Sequence, residues 1–225
     1  MRPRPPFIVF EGADGVGKST QVRLLSERLG AAKVPFIVTR EPGGTPAAEE
    51  LRALLVTGGE DTWSPKAETL LMFAARAEHL RKTINPARQS GKVVICDRFT
   101  DSTRAYQGFA GALELEFIDG LNEAIVGQDG PDLVIVLDVD DAVRDDRLNA
   151  RKGQIAPASE DRVEEDRFER KGAAFSHRVR EGFRTIAENN PDTHYLVDAS
   201  GTIEAIADRI FSIVEPATSK WAEGA

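Results

Sequence analysis

The stretch Glu11-Gly12-Ala13-Asp14-Gly15-Val16-Gly17-Lys18-Ser19-Thr20 decides how the rest of the chain is read. It fits the pattern G-x-x-x-x-G-K-[ST], a turn that wraps phosphate groups in backbone N–H groups. Before it, Phe7-Ile8-Val9-Phe10 is a short apolar run of the kind that forms a strand buried on both faces. After it, Thr20 to Leu29 reads as a helix that stops at Gly30. Strand, glycine-rich turn and helix in that order are the context the pattern requires, and the helix then points its N-terminus at the anion. Gly12, Gly15 and Gly17 let the backbone turn tightly and approach phosphate oxygens. Lys18 is placed to reach the β- and γ-phosphates, and Ser19 to hold Mg²⁺. The nucleotide-binding segment therefore comprises Gly12, Ala13, Asp14, Gly15, Val16, Gly17, Lys18, Ser19 and Thr20. No Asn or Thr is followed by Lys-x-Asp, the guanine reader of signalling GTPases, so the loop is expected to serve ATP.

Further apolar runs lie at Pro35 to Thr39, Val93 to Cys96, Leu133 to Leu137 and His194 to Val197. Helical patterns lie between them. They cover Ala47 to Val56, Ser64-Pro65 onward to Thr83 with a break near Pro86, Leu113 to Val126, Ala142 to Lys152, and roughly Glu160 to Glu188. Ser200-Gly201 is expected to cap a last helix through Val214. Strands alternating with helices predict an α/β fold: a five-stranded parallel sheet flanked by helices on both faces. A length of 225 residues suits one domain, 1–225. Gly153 to Ser159, "GQIAPAS", reads as a loop within a small helical lid over about 147–167, and the tail 216–225 as flexible.

Composition sets limits. The chain is 41% hydrophobic and 29% charged, with a net charge of −8. That balance argues for a globular protein and against a nucleic-acid partner, so bound anions must be met by a few placed arginines and by backbone N–H groups. With Cys96 as the single cysteine, no intrachain disulfide is possible, which fits a cytoplasmic location. The apolar run before Glu11 is too short for a signal-peptide core, and no run approaches a membrane span.

Three more stretches narrow the chemistry. They are Thr39-Arg40-Glu41-Pro42-Gly43-Gly44-Thr45, Phe73-Ala74-Ala75-Arg76-Ala77-Glu78-His79, and Asp97-Arg98-Phe99-Thr100-Asp101-Ser102-Thr103-Arg104-Ala105-Tyr106-Gln107-Gly108. Together with "FEGADGVGKST" they resemble the bacterial thymidylate kinases, from Phe7 to about the last helix. The resemblance implies a P-loop NTPase-type three-layer fold and a homodimer. It also implies transfer of the γ-phosphoryl group of Mg·ATP to the 5′-phosphate of dTMP, giving dTDP and ADP for dTTP synthesis.

The same resemblance suggests residue roles. Arg98 follows a strand and so emerges at the C-terminal sheet edge, where ligands of open α/β folds bind. It is expected to grip the acceptor phosphate, for which a guanidinium fork is suited. Asp97 is expected to bind Mg²⁺ through water, or else to anchor Arg98 or Lys18. Asp14 belongs near the acceptor's 3′-hydroxyl and phosphate, and Arg40 and Glu41 begin an acceptor-side loop. Arg52 resembles an arginine that contacts the acceptor phosphate, and Arg76 one that bonds thymine O4. Phe73 is expected to stack on the base; the competing reading has Met72 cover it, since either spacing shares a helical face with Arg76. Thr103 and Gln107 are placed to read the base edge, and Tyr106 to lie against the sugar and disfavour a ribose 2′-hydroxyl.

The lid departs most from the family. Asp161-Arg162-Val163-Glu164 and Asp166-Arg167-Phe168-Glu169 both fit its D-R-x-E motif, and spacing to Phe175 favours the second. Some relatives carry a basic residue where this chain has Gly15, so the missing charge is expected from Arg147, Arg151 or Arg167. No general base is assigned, because the attacking phosphate oxygen is already anionic; positioning and charge neutralisation carry phosphoryl transfer. Two rivals stay open: a kinase for another nucleoside monophosphate, and a nucleotide-binding regulatory protein without kinase activity. The acceptor-side arginines argue against the second.

Overall fold

The computed structural model describes residues 4–57, 62–154 and 171–223. Its centre is β1 (Phe7–Glu11), every residue of which is buried. Around it lie β2 (Phe36–Arg40), β3 (Val93–Asp97), β4 (Leu133–Asp138) and β5 (His194–Asp198), in the order β2-β3-β1-β4-β5. All pairings are parallel, as an apolar run between helices demands. Each predicted strand is present and extends one residue beyond its predicted end, because the polar residues Glu11, Arg40, Asp97, Asp138 and Asp198 still hold strand geometry. Those terminal residues sit at the C-terminal edge, the edge that carries ligand sites in such sheets.

The helices are α1 (Lys18–Ala31), α2 (Pro46–Val56), α3 (Pro65–His79), α4 (Asn85–Gln89), α5 (Thr100–Thr103), α6 (Leu115–Ile125), α7 (Asp141–Gln154), α8 (Ala173–Asn189) and α9 (Ile203–Glu223). Two of them start on legible signals. Thr45 Oγ1 accepts from the Ala48 N–H at 3.1 Å, and Ser64 Oγ from the Ala67 N–H at 3.3 Å, each with proline at the next position.

Three expectations change. The helix opened by Pro65 passes through a wide turn, Leu80–Ile84, before α4, because Pro86 offers no N–H and its ring crowds the preceding turn. Thr202, not Ser200-Gly201, caps α9, its hydroxyl accepting from the Ala205 N–H at 3.2 Å. The tail is not frayed from residue 216: α9 runs through Pro216 to Glu223, and Thr218 and Trp221 are buried. In the lid, α7 reaches Gln154; the rest of the "GQIAPAS" loop, both D-R-x-E matches and Arg167 lie outside the described residues.

Candidate active site

The phosphate side of the site begins at strand ends. After β1 the backbone enters the left-handed region at Gly12, Gly15 and Gly17, the last preceding α1 directly. A Cβ on Gly12 would sit 2.4 Å from the Leu137 carbonyl oxygen, so β4 leaves room there only for glycine. Lys18 folds back, its Nζ donating to the carbonyls of Gly12 (3.0 Å) and Ala13 (2.9 Å). Burial, and then the Arg98 cation, lower its pKa. Ala13 and Val16 are buried in the core and contribute backbone, whereas Asp14, Gly15, Gly17, Lys18, Ser19 and Thr20 line a cavity of about 810 Å³.

Beyond β3, Arg98 takes a left-handed backbone with φ 71°, unusual for a residue with a side chain. Its N–H donates to the Phe10 carbonyl, tying it to β1. Its guanidinium donates to Asp14 Oδ1 (2.6 Å), Ser102 Oγ (2.9 Å), Tyr106 Oη (3.2 Å) and the Gly12 carbonyl (3.2 Å). Tyr106 Oη in turn donates to Asp14 Oδ2 at 2.8 Å. Burial alone would raise the Asp14 carboxyl, but the Arg98 and Lys18 cations and the Tyr106 hydroxyl hold it well below the usual carboxylate range. Burial likewise acts to lower Arg98 and is outweighed by Tyr106, Asp14 and Asp97, which keep it firmly cationic. Asp97 Oδ2 accepts from Ser19 Oγ at 3.3 Å, while its Oδ1 is buried without a protein partner.

The α3 side is built around Arg76, which is 2% exposed. Its guanidinium lies 4.5 Å from the Phe73 ring centre and 4.9 Å from that of Phe99. Nε donates to Glu41 Oε2 at 2.8 Å, Nη2 to Thr103 Oγ1 at 3.2 Å, and Nη1 has no protein partner. Glu41 is an anchor: its other oxygen meets His79 Nδ1 at 3.0 Å, and His79 Nε2 meets Thr39 Oγ1 at 2.7 Å. Gln107 donates from Nε2 to Glu68 Oε2 at 2.9 Å, leaving its buried Oε1 without a partner. Arg76, Thr103, Tyr106 and Gln107 line the same cavity as the phosphate loop. So do Arg40, whose guanidinium meets Glu49, and Arg52, which donates to the Pro42 carbonyl at 2.9 Å.

Phe73 is corrected. It is 1% exposed and belongs to the hydrophobic core beneath Arg76, whereas Met72 lines the cavity. Of the lid arginines, Arg147 lines the cavity and bridges two loops, donating to the Val16 carbonyl (3.2 Å) and the Ala199 carbonyl (2.9 Å). The side chain of Arg151 and the whole of Arg167 lie outside the described residues. A Cβ at Gly15 would stand 2.8 Å from Leu148 and 3.2 Å from Arg144, so α7 occupies the space a side chain there would need. Sequence reasoning missed Glu11, Glu68, His79 and Ser102. Glu11 Oε1 accepts from the N–H groups of Phe99 (2.8 Å) and Ser102 (3.1 Å), and Oε2 from Ser102 Oγ (2.6 Å). An acid closing a wholly apolar strand was its signal.

One comparison decides what this arrangement belongs to: the family model described as thymidylate kinase matches residues 10–210. The chain belongs to the thymidylate kinase family. The thymidylate kinase of Caulobacter vibrioides is 46% identical over 208 residues, covering 92% of this chain and 95% of that protein. That of Symbiobacterium thermophilum is 44% identical, covering 97% of each. A crystal structure of thymidylate kinase from Ehrlichia chaffeensis superposes with a TM-score of 0.72 at 33% identity, covering 94% of this chain and all of that one. Membership of the thymidylate kinase family makes the chain a nucleoside monophosphate kinase with the P-loop NTPase fold. No described helix is long and apolar enough to cross a membrane.

Proposed function

We propose that the protein transfers the γ-phosphoryl group of Mg·ATP to the 5′-phosphate of dTMP, giving dTDP and ADP for dTTP synthesis. One observation carries the choice of base: the cavity that holds the phosphate loop also holds a buried unpaired donor, Arg76 Nη1, and a buried unpaired acceptor, Gln107 Oε1. Thymine offers the matching pair, an O4 acceptor beside an N3–H donor, and cytosine offers the reverse. Met72 covers the base, and Tyr106, held by Asp14, stands against the sugar. Arg98 and Arg52 receive the acceptor phosphate, with Arg40 at the rim. Lys18 exchanges its two backbone carbonyls for phosphate oxygens.

The donor set suits Mg²⁺. No group of three or more His, Cys, Asp or Glu side chains among the described residues forms a cage, but the orphaned Asp97 Oδ1 beside Ser19 suits an ion held chiefly by phosphates and water. Ser19 and Asp97 would hold it, and the ion would neutralise phosphate charge. Gly15 stands where some relatives carry a second basic side chain beside the loop lysine, so Arg147, Arg151 and Arg167 are proposed to bring positive charge over the transferring group. A homodimer in the cytoplasm completes the reading; Leu54 and Leu70, 48% and 50% exposed on the adjacent helices α2 and α3, support such an interface.

The test is base exchange. A mismatched buried polar group costs roughly 1–3 kcal/mol, so dTMP should exceed dCMP in kcat/KM by about 10²-fold or more. Arg76→Ala should erode that preference. Equal use of dTMP and dCMP by the wild type contradicts the base site.

A further inference from the structure

We propose that Glu68 sets the base preference by fixing which end of the Gln107 amide faces the cavity, an inference that rests on the dTMP reading. Gln107 is 1% exposed and projects from the wide turn Arg104–Phe109 that follows α5. A primary amide has two ends of nearly the same shape and opposite polarity. Turned one way it offers an acceptor to a base, turned the other way a donor. A charged partner on the far side of the amide can choose between them. Glu68 does: a carboxylate only accepts, and its Oε2 lies 2.9 Å from Gln107 Nε2, so the NH₂ end is drawn to Glu68 and Oε1 is left for the ligand.

Glu68 is 2% exposed and does not line the cavity, so it acts through Gln107 as a positioning residue. It lies in the first turn of α3, where the helix dipole favours a carboxylate. Turning the amide over would set its oxygen against the carboxylate oxygen. This penalty works against bases that present an acceptor at N3, as cytosine does, and not only in favour of thymine.

The experiment measures kcat/KM for dTMP and dCMP in the wild type, Glu68→Gln, Gln107→Ala and the double variant. In Glu68→Gln the new amide can donate or accept, so Gln107 is free to turn. The dTMP-to-dCMP ratio should fall about tenfold or more, with melting temperature within a few degrees of wild type. In a Gln107→Ala background the same Glu68→Gln change should leave the ratio within twofold. Glu68→Met fills a similar volume without a hydrogen-bonding partner and carries the same expectation, so it serves if Glu68→Gln does not fold. A merely structural role would lower both substrates in proportion; an unchanged ratio in Glu68→Gln or Glu68→Met overturns the proposal. If the wild type itself shows no preference for dTMP, the base-site reading fails instead.

Discussion

Glu11 joins the phosphate loop to the acceptor side at the scale of single residues. Its carboxylate gathers Phe99 and Ser102, and Ser102 supports Arg98, so an acid with no cavity role holds an arginine that has one. Burial, with the Asp101 carboxylate next, pushes its pKa up from 4.5 to about 7. A raised folded-state value means that the folded protein binds the proton more tightly than the unfolded chain. The contribution is fully present below about pH 4.5 and is lost as pH rises through 7, a difference of roughly 3 kcal/mol at 1.36 kcal/mol per unit. Asp101 is lowered, so its own contribution is complete above the ordinary carboxylate range and does not vary across this window. Glu11→Gln keeps an oxygen for both N–H groups and removes the titration. Thermal unfolding from pH 5 to 7.5 should therefore decline less steeply in Glu11→Gln than in wild type; parallel curves contradict the assignment. At this scale the sequence was only half legible. Glu68, Met72, Arg76 and His79 recur at helical spacing as one stripe of α3, and its three polar members place Met72, not Phe73, on the cavity side. Pairing Arg76 with an aromatic three residues away obscured it, since both spacings share a face.

Elements were legible where the local signals agree. Thr45-Pro46 and Ser64-Pro65 start α2 and α3 because a cap and a proline agree. The tail was misread because Pro216 is a helix breaker by intrinsic preference, while the burial of Trp221 against the core is a tertiary effect that local sequence does not display. A large aromatic removed from such a site costs about 3 kcal/mol, which is roughly 6–12 °C in a domain of this size. Trp221→Ala should lower Tm by that amount; an unchanged Tm would mean that the last turns of α9 carry no packing energy.

The whole molecule places its chemistry where a parallel sheet leaves its strand ends. The apolar runs declared five strands, and their alternation with helices declared the layers; β1, β3 and β4 are buried almost throughout, while the edge strands β2 and β5 are partly exposed. The pairing of donor and acceptor within the cavity was not legible, since it depends on Arg76 meeting Glu41 and Thr103, and on Gln107 meeting Glu68, across long stretches of chain. The site as a whole fits one preferred phosphoryl acceptor, dTMP. ADP release from Mg·ATP, measured with dTMP, dUMP, UMP and dGMP in turn, tests that claim most directly. It predicts rapid release with dTMP, markedly less with UMP, whose 2′-hydroxyl faces Tyr106, and little with dGMP. Release that is faster with dGMP or UMP than with dTMP, or absent with all four, contradicts it.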